Sequence, residues 1–240
     1  ALKRGPIEWL TIGAEDGAKM PGVLMKPVDF DSTRKYPLLF FLYGGPGDTE
    51  VDDSWGGYWL WHTMLTQKGY LVAIVDNRGT PAPLGRAFRK AIYGQMGVLE
   101  TRDQAVAARA LMERPYVDRS RVGIWGWSYG GFMSLNAMFQ HPDLYRTAIA
   151  VSPVTHWALY DNVYTERFNG LIDQNREGYD RGSPISYVSG KRGDLLLVHG
   201  GGDDNVHVQN SEMLINALVA ANKPFEFMVY PNRTHCICQG

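Results

Sequence analysis

One pentapeptide limits the folds open to this chain more than any other stretch: Gly126-Trp127-Ser128-Tyr129-Gly130. It follows directly on a short strand-like run at residues 121–125. It leads into an apolar helix reaching about residue 139. A strand that turns into a helix so abruptly forces the central serine into a strained backbone, and small residues two positions to either side let the backbones pass. The serine oxygen then stands above the sheet at a helix N-terminus, where the dipole favours developing negative charge. The plainer alternative is a Gly-rich turn in which Ser128 only caps the helix.

The rest of the chain supplies the sheet this turn requires. Residues 7–12 and 19–26 read as two strands joined by the turn Ala14-Glu15-Asp16-Gly17. Residues 36–43 form an apolar run entering Gly44-Gly45-Pro46-Gly47, as a buried strand feeding a sharp loop would. Residues 56–69 suggest a helix, and 71–75 another buried strand closed by Asp76-Asn77-Arg78-Gly79. Residues 101–114 have helical periodicity and stop before Pro115. Strands are expected at 147–151, 194–198 and 225–229, with a helix at 211–222 between the last two. Alternating buried strands and helices predict a mostly parallel sheet flanked by helices on both faces. With 240 residues and no linker-like composition break, a single α/β domain over 1–240 is expected.

Composition narrows the partners. The net charge of −1, with Lys and Arg scattered, argues against nucleic acid or an anionic membrane as a partner. No apolar run approaches the roughly 20 residues a membrane-spanning helix needs. The opening Ala1-Leu2-Lys3-Arg4-Gly5 is polar and unlike a secretory leader. Cys236 and Cys238 stand too close in sequence for an easy disulfide, so no bridge is expected.

A strand–Ser–helix turn in this setting marks the α/β-hydrolase fold, in which the catalytic order is Ser, acid, His, each on a loop after a strand. Serine alone is a poor nucleophile and needs a base held by a carboxylate. Of His141, His156, His199, His207 and His235, the last fits, because a short loop separates it from the strand at 225–229. The acid should follow the strand at 194–198, where Asp203 and Asp204 both qualify. His199 ends a strand and reads as a buried, hydrogen-bonded residue; His141 reads as a helix end and His207 as a helix flank. A tetrahedral intermediate needs two donors. One is the Tyr129 N–H, and the other should come from the loop at 43–47.

Taken together, Tyr43-Gly44-Gly45-Pro46, Asp76-Asn77-Arg78-Gly79, Gly126-Trp127-Ser128-Tyr129-Gly130-Gly131, Tyr164-Thr165-Glu166-Arg167 and Asp203-Asp204-Asn205-Val206-His207 resemble the catalytic domain of the prolyl oligopeptidase family, in the branch of dipeptidyl peptidase IV. The resemblance covers nearly the whole chain. It implies Ser128 as nucleophile, His235 as base, Asp203 as the orienting acid, and the Tyr43 hydroxyl beside the Tyr129 N–H as oxyanion donors. It also implies a proline-shaped pocket of Tyr129, Val154, Trp157, Tyr160, Tyr164 and Val206, with Asn205 holding a substrate carbonyl. Flat rings suit a rigid pyrrolidine. The alternative for Trp157, Tyr160 and Tyr164 is one helical stripe packed as core.

The implied activity is hydrolysis of peptides after Pro or Ala through an acyl-enzyme, without metal or cofactor, on a peptide partner and with room for a homodimer. Rivals are a carboxylesterase, an acylaminoacyl peptidase and a non-enzymatic binding protein. The family also carries an N-terminal β-propeller, so the resemblance implies a catalytic domain belonging to a longer protein, exported if bacterial. Two features depart from the pattern: Cys236 stands where the family has Gly after the catalytic His, and the family continues into a final helix where this sequence ends at Gly240. A free strand edge or an exposed apolar face is expected there.

Overall fold

The computed structural model describes residues 3–54 and 56–238. Eight strands form one sheet: β1 (Ile7–Gly13), β2 (Lys19–Met25), β3 (Tyr36–Phe41), β4 (Leu71–Val75), β5 (Val117–Trp127), β6 (Thr147–Val151), β7 (Asp194–Gly200) and β8 (Glu226–Tyr230). Their order is β1-β2-β4-β3-β5-β6-β7-β8. The hairpin β1–β2 and the β2–β4 pair are antiparallel, and every pair from β4 onward is parallel. Parallel neighbours need crossovers. These are α1 (Trp59–Gln67) before β4, α3 (Leu99–Met112) before β5, α4 (Tyr129–Gln140) before β6 and α7 (Gln209–Ala220) before β8. A short α2 (Gly85–Lys90) precedes α3.

Burial follows from this layering. All five residues of β4 are buried, as a central strand covered on both faces requires. On one face, Phe40, Ile124, Ala148 and Leu197 pack into the main core with Phe132, Leu135 and Leu214 of the helices. On the other, Val23, Phe41, Ile74 and Trp125 form a smaller cluster with Tyr58 against it. β8 is the sheet edge, and Met228 and Tyr230 stand 48% and 40% exposed on it.

Most expected elements fall within a few residues of their observed ends. The strand expected at 121–125 is longer, because β5 starts at Val117 and pairs Tyr36 through a register shift before the regular ladder begins. The stretch between β6 and β7, where the sequence offers a helix only as the alternative reading of Trp157, Tyr160 and Tyr164, folds into a 3₁₀ turn (Trp157–Leu159), α5 (Asn162–Asn169), α6 (Ile172–Gly182) and a second 3₁₀ segment (Pro184–Gly190). α6 is kinked at Asn175, whose amide donates to Gly94 O and Asn169 O, so it breaks the periodicity a sequence reading depends on.

In an open α/β sheet, ligands bind beyond the carboxyl ends of the strands where the strand order reverses. Here the chain moves from β3 to β4 on one side and returns to β5 on the other. Tyr43 follows β3 and Ser128 follows β5, so the two residues meet at that point.

Candidate active site

Ser128 joins β5 to α4 with φ 59 and ψ −116. A positive φ on a non-Gly residue is costly and persists where the surroundings impose it. Here its N–H donates to Val151 O at 2.8 Å and its carbonyl accepts from Phe132 N at 3.0 Å. A Cβ on Gly126 would stand 2.5 Å from the Gly130 carbonyl carbon, and one on Gly130 would strike Leu42 O. Only glycine fits either position. The Ser128 side chain makes no capping hydrogen bond, so the cap alternative is not realised. The Tyr129 N–H opens α4, where the first-turn donors have no partner within the helix.

The acid and the histidine meet as the strand order suggests. His235 Nδ1 lies 2.8 Å from Asp203 Oδ2. Asp203 Oδ1 accepts the N–H groups of Asn205 and Val206 at 3.0 and 2.9 Å. His199 Nε2 stands 3.3 Å from the same Oδ2 and 2.8 Å from Val206 O. Facing two acceptors, Nε2 holds the proton, and the Ser211 hydroxyl donates to Nδ1 at 2.7 Å. Burial pushes the Asp203 carboxyl up, but the hydrogen bonds from His199 and His235, the His235 charge and the Asn205 N–H outweigh it and hold the group well below the usual carboxylate range. Asp204, the other candidate, is exposed and makes no hydrogen bond to His235 among the described residues. His199 is fully buried and hydrogen-bonded, as its strand-end position suggests, but its grip on Asp203 was not foreseen.

His235, Ser128, Tyr43 and Trp127 line one cleft of about 350 Å³ with Asp48, Glu50, Tyr58 and Cys236. No hydrogen bond joins Ser128 Oγ to His235 among the described residues; in unliganded sites such bonds are often long and tighten with substrate. The Trp127 indole donates to His235 O at 3.0 Å, tying the histidine loop to β5. Beyond His235 the expectation about the cysteines fails. Cys236 and Cys238 form a disulfide, because Ile237 takes φ 50 and turns the chain so that their Cα atoms lie 5.0 Å apart, within the span a bridge accepts.

Burial pushes the Tyr43 hydroxyl up to about 12, with Tyr160, Asp48 and Glu50 adding to it, so it stays a donor at neutral pH. Its loop is fixed by Asn77, which donates to Gly44 O at 2.8 Å and accepts from Gln104 at 2.9 Å. Tyr129 is buried, its ring 5.7 Å from that of Tyr43, and its hydroxyl donates to Glu100 Oε1 at 2.7 Å. No sequence signal pointed to Glu100, because helix periodicity does not identify a buried carboxyl partner.

The expected pocket aromatics do gather. Trp157 lies 5.5 Å from Tyr129, 6.2 Å from Tyr160 and 6.3 Å from Tyr164, centroid to centroid. They are not one helical stripe: Trp157 opens a 3₁₀ turn, Tyr160 ends it and Tyr164 sits on α5. Val154, Trp157 and Val206 are almost wholly buried, while Tyr160 and Tyr164 are partly exposed. Tyr160 donates to Asn205 Oδ1 at 2.8 Å, and both line a second, open cleft with Asp161, Asp204 and His235.

A Ser at a strained strand–helix turn, an Asp–His pair and a donor loop on one α/β sheet define an α/β-hydrolase. The chain belongs to the prolyl oligopeptidase family, whose profile matches residues 58–240. It is similar to dipeptidyl peptidase 8 of Homo sapiens, at 40% identity over 97% of this chain and 26% of that protein. It is also similar to prolyl endopeptidase FAP of Mus musculus, at 40% identity over 90% of this chain and 29% of that protein. Among solved structures it resembles the crystal structure of Porphyromonas gingivalis dipeptidyl peptidase 4, with a TM-score of 0.93 and 42% identity over 99% of this chain and 33% of that one. The chain thus spans about a quarter to a third of the length of these relatives.

Proposed function

We propose that this chain carries the catalytic centre of a serine peptidase that cleaves after Pro, or Ala, in the manner of a dipeptidyl peptidase. The observation that carries the reading is the 2.8 Å Asp203–His235 contact in a cleft shared with the strained Ser128. Ser128 attacks the scissile carbonyl and His235 takes its proton, then delivers it to the leaving amine. Asp203 keeps the proton on Nδ1 and stabilises the imidazolium. The Tyr43 hydroxyl and the Tyr129 N–H receive the oxyanion. Water then attacks the acyl-enzyme by the same route. The cluster of Tyr129, Val154, Trp157, Tyr160, Tyr164 and Val206 takes the pyrrolidine, and Asn205 holds a substrate carbonyl.

The test is hydrolysis by the purified full-length protein of a free-amino X-Pro-nitroanilide against a short-chain p-nitrophenyl ester, with Ser128→Ala as control. Efficient amide cleavage, lost in the variant, is expected. Cleavage of the ester alone would make the chain a carboxylesterase and remove the proline pocket from the reading.

A further inference from the structure

The cleft that holds Ser128 has an acidic wall that the proposed chemistry does not use. The loop after β3 carries Asp48, Glu50, Asp52 and Asp53 within six residues. Asp48 and Glu50 line the cleft of about 350 Å³ beside Tyr43, Ser128 and His235. They also border an adjoining recess of about 250 Å³, walled by Asp52, Tyr58, Trp59, Val23, Ile74 and His62. Asp76 fixes the loop in place, its two oxygens accepting the N–H groups of Glu50 and Val51 at 3.1 Å each.

Among the described residues, no ion pair involves Asp48, Glu50, Asp52 or Asp76. Burial, with Asp48, Asp76 and Asp52 adding to it, pushes the Glu50 carboxyl up to about 7, so it is only partly ionised at neutral pH and a cation beside it would draw out its full charge. A recess lined by several carboxylates that form no ion pair among the described residues attracts a cation. A second feature of the recess also points to a ligand: His62 is 3% exposed, and its Nε2 has no hydrogen-bond partner among the described residues. A buried polar atom left unpaired is costly and calls for a partner. No group of three or more His, Cys, Asp or Glu among the described residues is arranged to hold a metal ion. The apolar walls instead suit the methylene stem of a long side chain, with carboxylates at its charged tip.

The cleft's place relative to the reaction completes the assignment, which rests on the peptidase reading above. His235 stands between two clefts: one shared with Tyr160 and Asn205, the other with Asp48 and Glu50. The acyl half of a peptide lies with the aromatic cluster and Asn205. The leaving half must then occupy the acidic cleft, where His235 returns the proton to the departing amine. We propose that this cleft is the subsite for the leaving half of the peptide, and that Asp48 and Glu50 select a Lys or Arg side chain in the first two residues after the scissile bond. The same carboxylates stand near Tyr43 and oppose negative charge on the oxyanion, so a basic side chain that neutralises them raises kcat as well as lowering KM.

The experiment uses the full-length protein and three peptides in which Gly-Pro is followed by Lys-Lys, Ala-Ala or Glu-Glu, with Gly-Pro-nitroanilide as a substrate that lacks a leaving peptide. The expected kcat/KM for Lys-Lys is about 10-fold above Ala-Ala, with Glu-Glu lowest. That advantage shrinks as ionic strength rises from about 0.02 M to about 0.5 M. Asp48→Asn with Glu50→Gln abolishes the preference, and Glu50→Lys inverts it. Because each ratio is taken within one protein, a general change in activity cancels, and the wild-type salt dependence stands if a variant fails to fold. Equal rates on all three peptides, or a preference the substitutions leave unchanged, overturn the inference while leaving the peptidase reading intact. Failure to cleave any of these peptides or the nitroanilide overturns that reading and the inference with it.

Discussion

Ser128 and Tyr43 show how differently two residues of one site can be read. Ser128 is marked by its neighbours, since a strand, two flanking glycines and a helix admit few other roles. Tyr43 is marked only through the resemblance that Tyr43-Gly44-Gly45-Pro46 helps to carry; its side chain enters the cleft because β3 lies beside β5. In the proposed mechanism this hydroxyl serves the transition state more than the ground state. Tyr43→Phe is therefore expected to lower kcat by about 100-fold while KM changes less than about 3-fold, measured by steady-state kinetics on the nitroanilide. A rise in KM alone would reassign Tyr43 to substrate binding. The choice between Asp203 and Asp204 belongs to the same scale. Loop position left both open and the resemblance pointed to Asp203; Asp203 is the one that stands 2.8 Å from His235, because neighbouring loop residues point in different directions.

Elements are held in register by polar ties that periodicity does not reveal. The motif Asp76-Asn77-Arg78-Gly79 after β4 is one of them. Asp103 on α3 takes the Arg78 N–H at 3.0 Å, its Nε at 2.9 Å and a terminal nitrogen at 2.6 Å, and Arg78 also reaches Asp16 in the β1–β2 turn. Asp103 is 1% exposed, so its removal leaves a largely buried guanidinium with only the exposed Asp16 as its partner. Asp103→Ala is expected to cost about 3 kcal/mol of unfolding free energy in urea denaturation. A loss below about 1 kcal/mol would place the pair among weak surface bridges. The helices between β6 and β7 show the opposite case. They are short, polar and kinked, so hydrophobic pattern failed there although the aromatics they carry were legible by type.

Over the whole molecule, buried carboxyls set the response to pH. Burial raises Glu50 and Glu100 to about 7 and Asp76 to about 6, in the last case against the N–H groups of Glu50 and Val51. A carboxyl whose folded value exceeds its unfolded one holds its proton longer in the folded state, so stability falls as pH rises from the unfolded value through the folded one. Asp203, held low, contributes the reverse: stability present above its unfolded value and lost as pH falls through the folded one. Thermal unfolding should therefore show a decline in Tm between about pH 4.5 and about pH 7. Glu100→Gln should make that decline shallower, since Glu100 Oε2 is buried without a partner. A wild-type Tm that rises across this window would show that the carboxyl burial is relieved in solution.

By itself the sequence determined the parallel α/β sheet, the Ser128 turn and the residue types of the site, because these depend on local pattern: buried strand runs, glycines that no side chain can replace, and loops at strand ends. It also supplied His235, through the single rule that catalytic loops follow strands. Only the tertiary structure decided that His199 shares Asp203 with His235, that Glu100 partners Tyr129, and that Cys236 and Cys238 are bridged. It likewise turned the acidic loop after β3 toward the cleft that holds Ser128. Each of these depends on the direction of a side chain, and that direction is set by packing between segments distant in sequence, which no local pattern records.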